Sequence, residues 1–230
     1  MIGFYDYTVV LTFVSLVSTV FGMTQAMDGR FRTALICLAI SGLCDTFDGK
    51  IARTKKNRSC DEKLYGIQLD SLCDVVCFGV FPAMICYLMG LNGALSIAAL
   101  CYFVLCGVIR LSYFNVLETN RQTGDPDSEK VYHGLPITSI AVILPLVFVL
   151  GIFASEQAFL YMLLATMLIV GTLYIVDFRL RKPEDWMIYT LIGIVACAVI
   201  AVTLFSSHTT IHRDRQSPPL IDRITESCDE

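Results

Sequence analysis

Apolar residues run along this chain in stretches of about twenty, the length a helix needs to cross the hydrocarbon core of a bilayer. The pattern predicts spans at 7–27, 32–53, 66–91, 94–118, 134–154, 157–177 and 186–206. Short polar turns such as Leu91-Asn92-Gly93 and Ser155-Glu156 join neighbouring spans and leave no room for extramembrane domains. From Ser207 onward the chain becomes charged, carries Pro218 and Pro219, and reads as a flexible extension. The expected architecture is an all-α polytopic membrane helix bundle. It divides into a six-span core (1–183), an additional transmembrane helix (184–206) and a polar tail (207–230).

Composition removes the other broad classes. Of 230 residues, 55% are apolar and 17% charged, with a mean hydropathy of +0.65. Soluble domains run nearer to about 25% charged and cannot hide so much apolar surface in one core. A net charge of −4 with no long basic stripe argues against nucleic acid as a partner. Eight of the ten cysteines lie within apolar segments: Cys37, Cys44, Cys73, Cys77, Cys86, Cys101, Cys106 and Cys197. They read as small hydrophobes, and without a CxxC spacing neither a zinc nor a redox site is expected. The first apolar segment has no basic leader or A-x-A cleavage site, so it is expected to remain as a span.

Lysine and arginine placement sets the orientation. Arg53, Lys55, Lys56, Arg58 and Lys63 follow the second span, Arg121 and Lys130 the fourth, and Arg179, Arg181 and Lys182 the sixth. Alternation therefore puts the amino terminus and these loops in the cytoplasm. Arg30 and Arg32 run against the rule, as do the tail cations Arg213, Arg215 and Arg223 if a seventh span carries the tail outside.

Four carboxylates stand out. An aspartate near the centre of a span costs ~2.5–3.5 kcal/mol to insert, yet Asp45, Asp48, Asp70 and Asp74 all fall within the second and third spans. Asp45 and Asp48 are three residues apart, and Asp70 and Asp74 four, so each pair shares a helix face and repels. Protonated or lysine-paired groups lining a water cavity are one way to reconcile this. A divalent cation fits better, because hard cations take clustered carboxylate oxygens. Gly49 and Ala52 continue the Asp45 face, and Gly66 begins the Asp70–Asp74 ladder, which leaves room for a ligand. Gly42 and Gly79 can instead mark close helix packing. Arg53 offers a cation for phosphate. Metals, arginine and a cleft at the interface together suggest a phosphoryl-containing substrate.

The pattern Asp45-x-x-Asp48-Gly49-x-x-Ala52-Arg53 … Gly66-x-x-x-Asp70-x-x-x-Asp74 resembles the signature of the CDP-alcohol phosphatidyltransferase family. The resemblance covers roughly residues 7–183. Within the family, Leu69-Asp70-Ser71-Leu72, the run from Asp74 to Ala83, Arg110-Leu111-Ser112-Tyr113-Phe114-Asn115 and Gly134-Leu135-Pro136-Ile137 look like the phosphatidylserine synthases. Twelve residues separate Arg53 from Gly66, more than the family usually has. The excess falls in the basic loop Thr54–Tyr65, where added length costs little.

The resemblance implies transfer of a phosphatidyl group from CDP-diacylglycerol to the hydroxyl of L-serine, with release of CMP. It implies two divalent ions, Mg²⁺ or Mn²⁺, held by Asp45, Asp48, Asp70 and Asp74, with Asp74 also the general base. Asp45, Gly49, Ala52, Arg53 and Gly66 would line the nucleotide and diphosphate site. It further implies a homodimer in a cell membrane, that of a bacterium, with the site facing the cytoplasm. Arg110 and Asn115 are candidates for the head group, since an intramembrane arginine is functional by default, although snorkelling to the interface is its plain alternative. His133 reads as a helix-entry residue. Competing readings are another acceptor (glycerol 3-phosphate, inositol phosphate or choline) and, more distantly, an ion transporter. The few cations near Asp74 favour zwitterionic serine over a phosphorylated acceptor, and no inverted repeat points to a transporter.

Overall fold

The computed structural model describes residues 3–4, 7–52, 55, 59–122, 132–177 and 179–180. A 3₁₀ turn, Tyr7–Val9, leads into α1 (Val10–Met27), followed by α2 (Phe31–Ala52) and α3 (Cys60–Asp74). A π-helical segment, Val75–Val80, joins α3 to α4 (Phe81–Leu88), and α5 (Ala94–Gln122) runs back. A second 3₁₀ turn, Ile137–Ser139, opens α6 (Ile140–Gly151), and α7 (Glu156–Ile175) is the last helix among the described residues. Among the described residues the strand pairing is a two-residue antiparallel ladder between β1 (Tyr132–His133) and β2 (Arg179–Leu180).

Among the described residues four stretches are long and apolar enough to cross a membrane: Val10–Met27, Asp61–Leu88, Ala94–Thr119 and Glu156–Ile175, with Ile137–Gly151 a shorter apolar helix. At 22 residues α2 has the length as well, but it carries Arg32, Asp45, Asp48 and Lys50. The protein is a polytopic helical membrane protein. The expected seventh span and the tail lie outside the described residues.

Helix α1 is patterned inside out. It buries Thr12, Ser15, Thr19, Gly22 and Ala26 and exposes Val10, Val14, Val17 and Phe21. With lipid outside, apolar residues gain nothing by turning inward, whereas small and hydroxylated residues let helices approach and bond. A Cβ on Gly22 would lie 2.5 Å from the Phe81 ring and 2.8 Å from Cys37 Cβ, and one on Gly42 2.7 Å from Ala141 Cβ. Gly42 is thus a close-packing position, while Gly79 makes only an ordinary contact, 4.0 Å to Val104. Below these contacts Phe78, Phe81, Phe103, Leu38, Ile140 and Met167 fill the core.

Two of the departures from the sequence expectation have a clear local cause. The third span begins at Cys60, not Gly66: Ser59 accepts from the Glu62 amide at 3.1 Å while Glu62 accepts from the Ser59 amide at 3.1 Å. This reciprocal cap satisfies two otherwise orphan donors and starts the helix inside the basic loop. Secondly, His133 does not enter a helix. It pairs with Arg179 in the ladder, and the chain turns at Gly134 (φ +69°) before Pro136 and the 3₁₀ turn.

The π segment has a local cause. Pro82 lacks an amide hydrogen, and in a regular helix its ring would meet the carbonyl of Phe78. The backbone widens just before it, and the Phe81 amide bonds to the Val76 carbonyl five residues back. Such wide turns occur often at functional sites, and this one begins at the residue after Asp74.

Candidate active site

The last third of α2 supplies Asp45 and Asp48, and α3 supplies Asp70 and Asp74. Carboxylate oxygens of Asp45, Asp70 and Asp74 all lie within 4.8 Å of one another. Asp48 is 8% exposed; it contacts the Asp70 carboxylate and accepts a hydrogen bond from Thr12 Oγ1 at 3.3 Å. Asp45 and Asp74 make a carboxyl–carboxyl contact of their own. Asp70 Oδ1 is buried and has no hydrogen-bond partner among the described residues. All four sequence-derived aspartates therefore converge, with Asp70 touching both members of the α2 pair electrostatically.

Four carboxylates this close cannot all stay ionised without compensation. Two unit charges ~4 Å apart repel by about 4 kcal/mol at an effective dielectric constant of 20. Among the described residues no lysine or arginine forms an ion pair with any of the four. A hard divalent ion fits the donor set. Its oxygen ligands sit about 2.0–2.6 Å away, so three oxygens within 4.8 Å need little adjustment to enter one coordination shell. The orphaned Asp70 oxygen is the kind of buried acceptor that a cation would satisfy.

Space for a ligand exists beside the cluster. Gly49 is exposed, and a Cβ there would meet nothing within 4 Å. Gly66 is half-buried one turn ahead of Asp70. Ala52 is the last residue of α2, and Arg53 lies outside the described residues.

The head-group candidates lie on α5 at the same end of the bundle. Ser71 Oγ donates to Asn115 Oδ1 at 2.6 Å, tying α5 to the helix turn between Asp70 and Asp74. Arg110 is only 8% exposed. Its guanidinium carbon sits 4.5 Å from the centroid of the Phe114 ring. Gly134 closes over the guanidinium, where a Cβ would come within 2.8 Å of Arg110 Nη1. Leu135 N donates to Leu173 O at 3.3 Å, and Tyr174 Oη donates to Ile137 O at 2.9 Å, which seats this loop on the end of α7.

A model of the CDP-alcohol phosphatidyltransferase family matches residues 7–176. The chain belongs to this family. Among curated relatives, a CDP-diacylglycerol–serine O-phosphatidyltransferase of Saccharomyces cerevisiae is 42% identical over 109 residues, 45% of this chain and 37% of the relative. An archaetidylserine synthase of Methanothermobacter thermautotrophicus is 33% identical over 149 residues, 64% of this chain and 60% of the relative. A CDP-diacylglycerol–serine O-phosphatidyltransferase of Helicobacter pylori is 38% identical over 123 residues, 53% of this chain and 48% of the relative. The chain thus spans between 37% and 60% of the length of these relatives. No solved structure matches it.

Sequence reasoning passed over Thr12 and Ser71 as site residues. For Thr12 a signal existed: Thr12, Ser15 and Thr19 recur at helical spacing on one face of an otherwise apolar span. Ser71 stands between two ladder aspartates in the Leu69-Asp70-Ser71-Leu72 piece, but nothing there points to a bond with α5.

Proposed function

We propose that this protein transfers the phosphatidyl group of CDP-diacylglycerol to the hydroxyl of L-serine, giving phosphatidylserine and CMP. The observation that carries the proposal is the convergence of Asp45, Asp70 and Asp74 oxygens within 4.8 Å beside the open flank of Gly49. Serine as acceptor is supported by the relatives, whose names share serine while differing in the lipid.

In this reading Asp45, Asp48, Asp70 and Asp74 would hold two divalent ions, Mg²⁺ or Mn²⁺. When bound, these ions offset the diphosphate charge and stabilise CMP as leaving group. Gly49, Ala52 and Gly66 leave room for the nucleotide, and Arg53 contributes a cation to the diphosphate. Asp74 takes the proton of the serine hydroxyl as its oxygen attacks the phosphorus bearing the diacylglycerol. The P–O bond to CMP breaks in the same displacement. Arg110 and Asn115 receive the amino-acid portion of serine. The lipid tails stay in the bilayer. The enzyme is a homodimer whose site faces the cytoplasm, and the core (1–183), seventh helix (184–206) and polar tail (207–230) are its units.

The deciding experiment is an acceptor screen with purified protein, CDP-diacylglycerol and Mn²⁺ or Mg²⁺, measuring CMP release with serine, glycerol 3-phosphate, inositol phosphate and choline. Serine-dependent release is expected. Release driven by another alcohol, with serine inert, would replace this reading by that acceptor's synthase.

A further inference from the structure

Between α1 and α2 runs a buried polar seam. Ser15 Oγ donates to Ser41 O at 3.3 Å, and Ser41 Oγ donates back to Ser15 O at 3.0 Å. Thr19 and Ser41 share a hydroxyl–hydroxyl bond of 2.9 Å, and Ser18 Oγ donates to Cys37 O at 3.2 Å. These bonds fix the register of two antiparallel helices. Three residues before Ser15 on α1 and seven after Ser41 on α2, that register brings Thr12 against Asp48.

Thr12 is 6% exposed and Asp48 8%, so water has little access to the contact. At 3.3 Å it is long for a hydroxyl donor, which makes the seam rather than the bond itself the reason the two groups meet. The hydroxyl engages Oδ2 and leaves Oδ1 as the oxygen with no Thr12 contact. Asp48 also touches Asp70, whose own Oδ1 is orphaned.

We infer that Thr12 is a positioning residue for the cation site, holding Asp48 Oδ2 so that the carboxylate presents its other oxygen toward Asp70. The inference rests on the metal-binding part of the function proposed above. Groups that hydrogen-bond to a metal-ligating carboxylate from behind typically govern affinity by ~10- to 100-fold. Among the described residues no other α1 hydroxyl reaches an aspartate; Ser15 and Thr19 end on Ser41 and Cys77.

The test is Mn²⁺ binding by the purified full chain, read from the electron paramagnetic resonance of free Mn²⁺, with no substrate present. Thr12→Val keeps the shape and removes the hydroxyl, and it is expected to weaken one class of Mn²⁺ site by ~10- to 100-fold. Thr12→Ser is expected to bind nearly as the parent does. Ser15→Ala removes one seam bond but keeps the Ser41 Oγ–Ser15 O and Thr19–Ser41 bonds that hold the register, so it should leave Mn²⁺ affinity unchanged. CMP release by Thr12→Val should fall at limiting Mn²⁺ and recover in excess, with an unchanged KM for serine. If the parent binds Mn²⁺ and Thr12→Val binds it equally well, the positioning role is wrong while the metal site stands. Equal weakening by Ser15→Ala would assign the effect to helix packing and overturn the inference. A parent chain that binds no Mn²⁺ would overturn the metal reading itself. Should Thr12→Val not fold, Thr12→Ala against Thr12→Ser carries the same decision.

Discussion

Ser71 donates to Asn115 across 2.6 Å from a position between Asp70 and Asp74, so one helix turn presents both the carboxylate ladder and the anchor of α5. At ~1.5 Å per residue, Asp74 lies ~4.5 Å beyond Ser71 along α3. Arg110 lies ~7.5 Å from Asn115 in the same direction, because α5 returns antiparallel. The guanidinium and Asp74 are therefore about level along the bundle axis. Replacing Ser71 with alanine removes one bond, worth ~1 kcal/mol, and releases the Asn115 amide. The expected outcome is a raised KM for serine with Mn²⁺ affinity unchanged. An effect on Mn²⁺ affinity alone would make Ser71 a support of the aspartates and not of the acceptor side.

The metal reading makes a stability prediction as well as a catalytic one. A ligand held only by the folded state stabilises it by ~2.7 kcal/mol at a hundredfold excess over its Kd. Chelation should therefore lower Tm as well as abolish turnover, because Asp45, Asp48, Asp70 and Asp74 are then left to repel. Asp70→Asn, which changes the residue touching both α2 aspartates, should weaken Mn²⁺ binding and cut CMP release at limiting metal. Full activity of Asp70→Asn under those conditions would exclude it as a ligand.

How much of this was legible in the sequence differs from residue to residue. Hydropathy placed the long described helices because lipid rewards long apolar runs, and the spacing of Asp70 and Asp74 placed both on one face. The start of α3 at Cys60 was also written there, in the Ser59-Cys60-Asp61-Glu62 capping pattern, but the charges of the basic loop obscured it. The π segment could have been suspected from Pro82, which must disturb the turn before it; its extent depends on packing that no local pattern encodes. The Thr12–Asp48 contact was not readable, because it joins residues 36 apart through the register of a whole seam. Arg110 stands out in the sequence as an intramembrane arginine, yet its closeness to Gly134 joins residues 110 and 134 through a turn that no local pattern encodes.

Gly134 gives a test of that burial. Its φ of +69° suits glycine, and a Cβ would sit 3.1 Å from Val176 O and 3.4 Å from Leu173 O as well as 2.8 Å from Arg110 Nη1. The arginine tip can yield, whereas the two carbonyls belong to the backbone. Gly134→Ala is expected to cost ~1–3 kcal/mol in stability and to raise the KM for serine by shifting the guanidinium. Thermal unfolding and acceptor kinetics on the same preparation check both parts, and an unchanged Tm would show that the turn relaxes freely.

Arg110 is the candidate for selecting serine. A serine zwitterion brings a carboxylate into a region of low dielectric, where it needs a charge-assisted partner, ideally a bidentate guanidinium. Arg110 is buried, lies about level with Asp74 and is stacked 4.5 Å from the Phe114 ring, so its plane is set before any ligand arrives. A lysine at this position keeps the charge but loses both the planar fork and the stacking. Arg110→Lys should therefore raise the apparent KM for serine while leaving CDP-diacylglycerol binding nearly intact. Loss of one charge-assisted contact is worth ~1.5–3 kcal/mol, or roughly 10- to 150-fold. Serine titrations at saturating CDP-diacylglycerol, paired with CDP-diacylglycerol titrations at saturating serine, separate the two effects. If the variant loses affinity for CDP-diacylglycerol and keeps its KM for serine, the guanidinium belongs to the diphosphate and serine must be held by other groups.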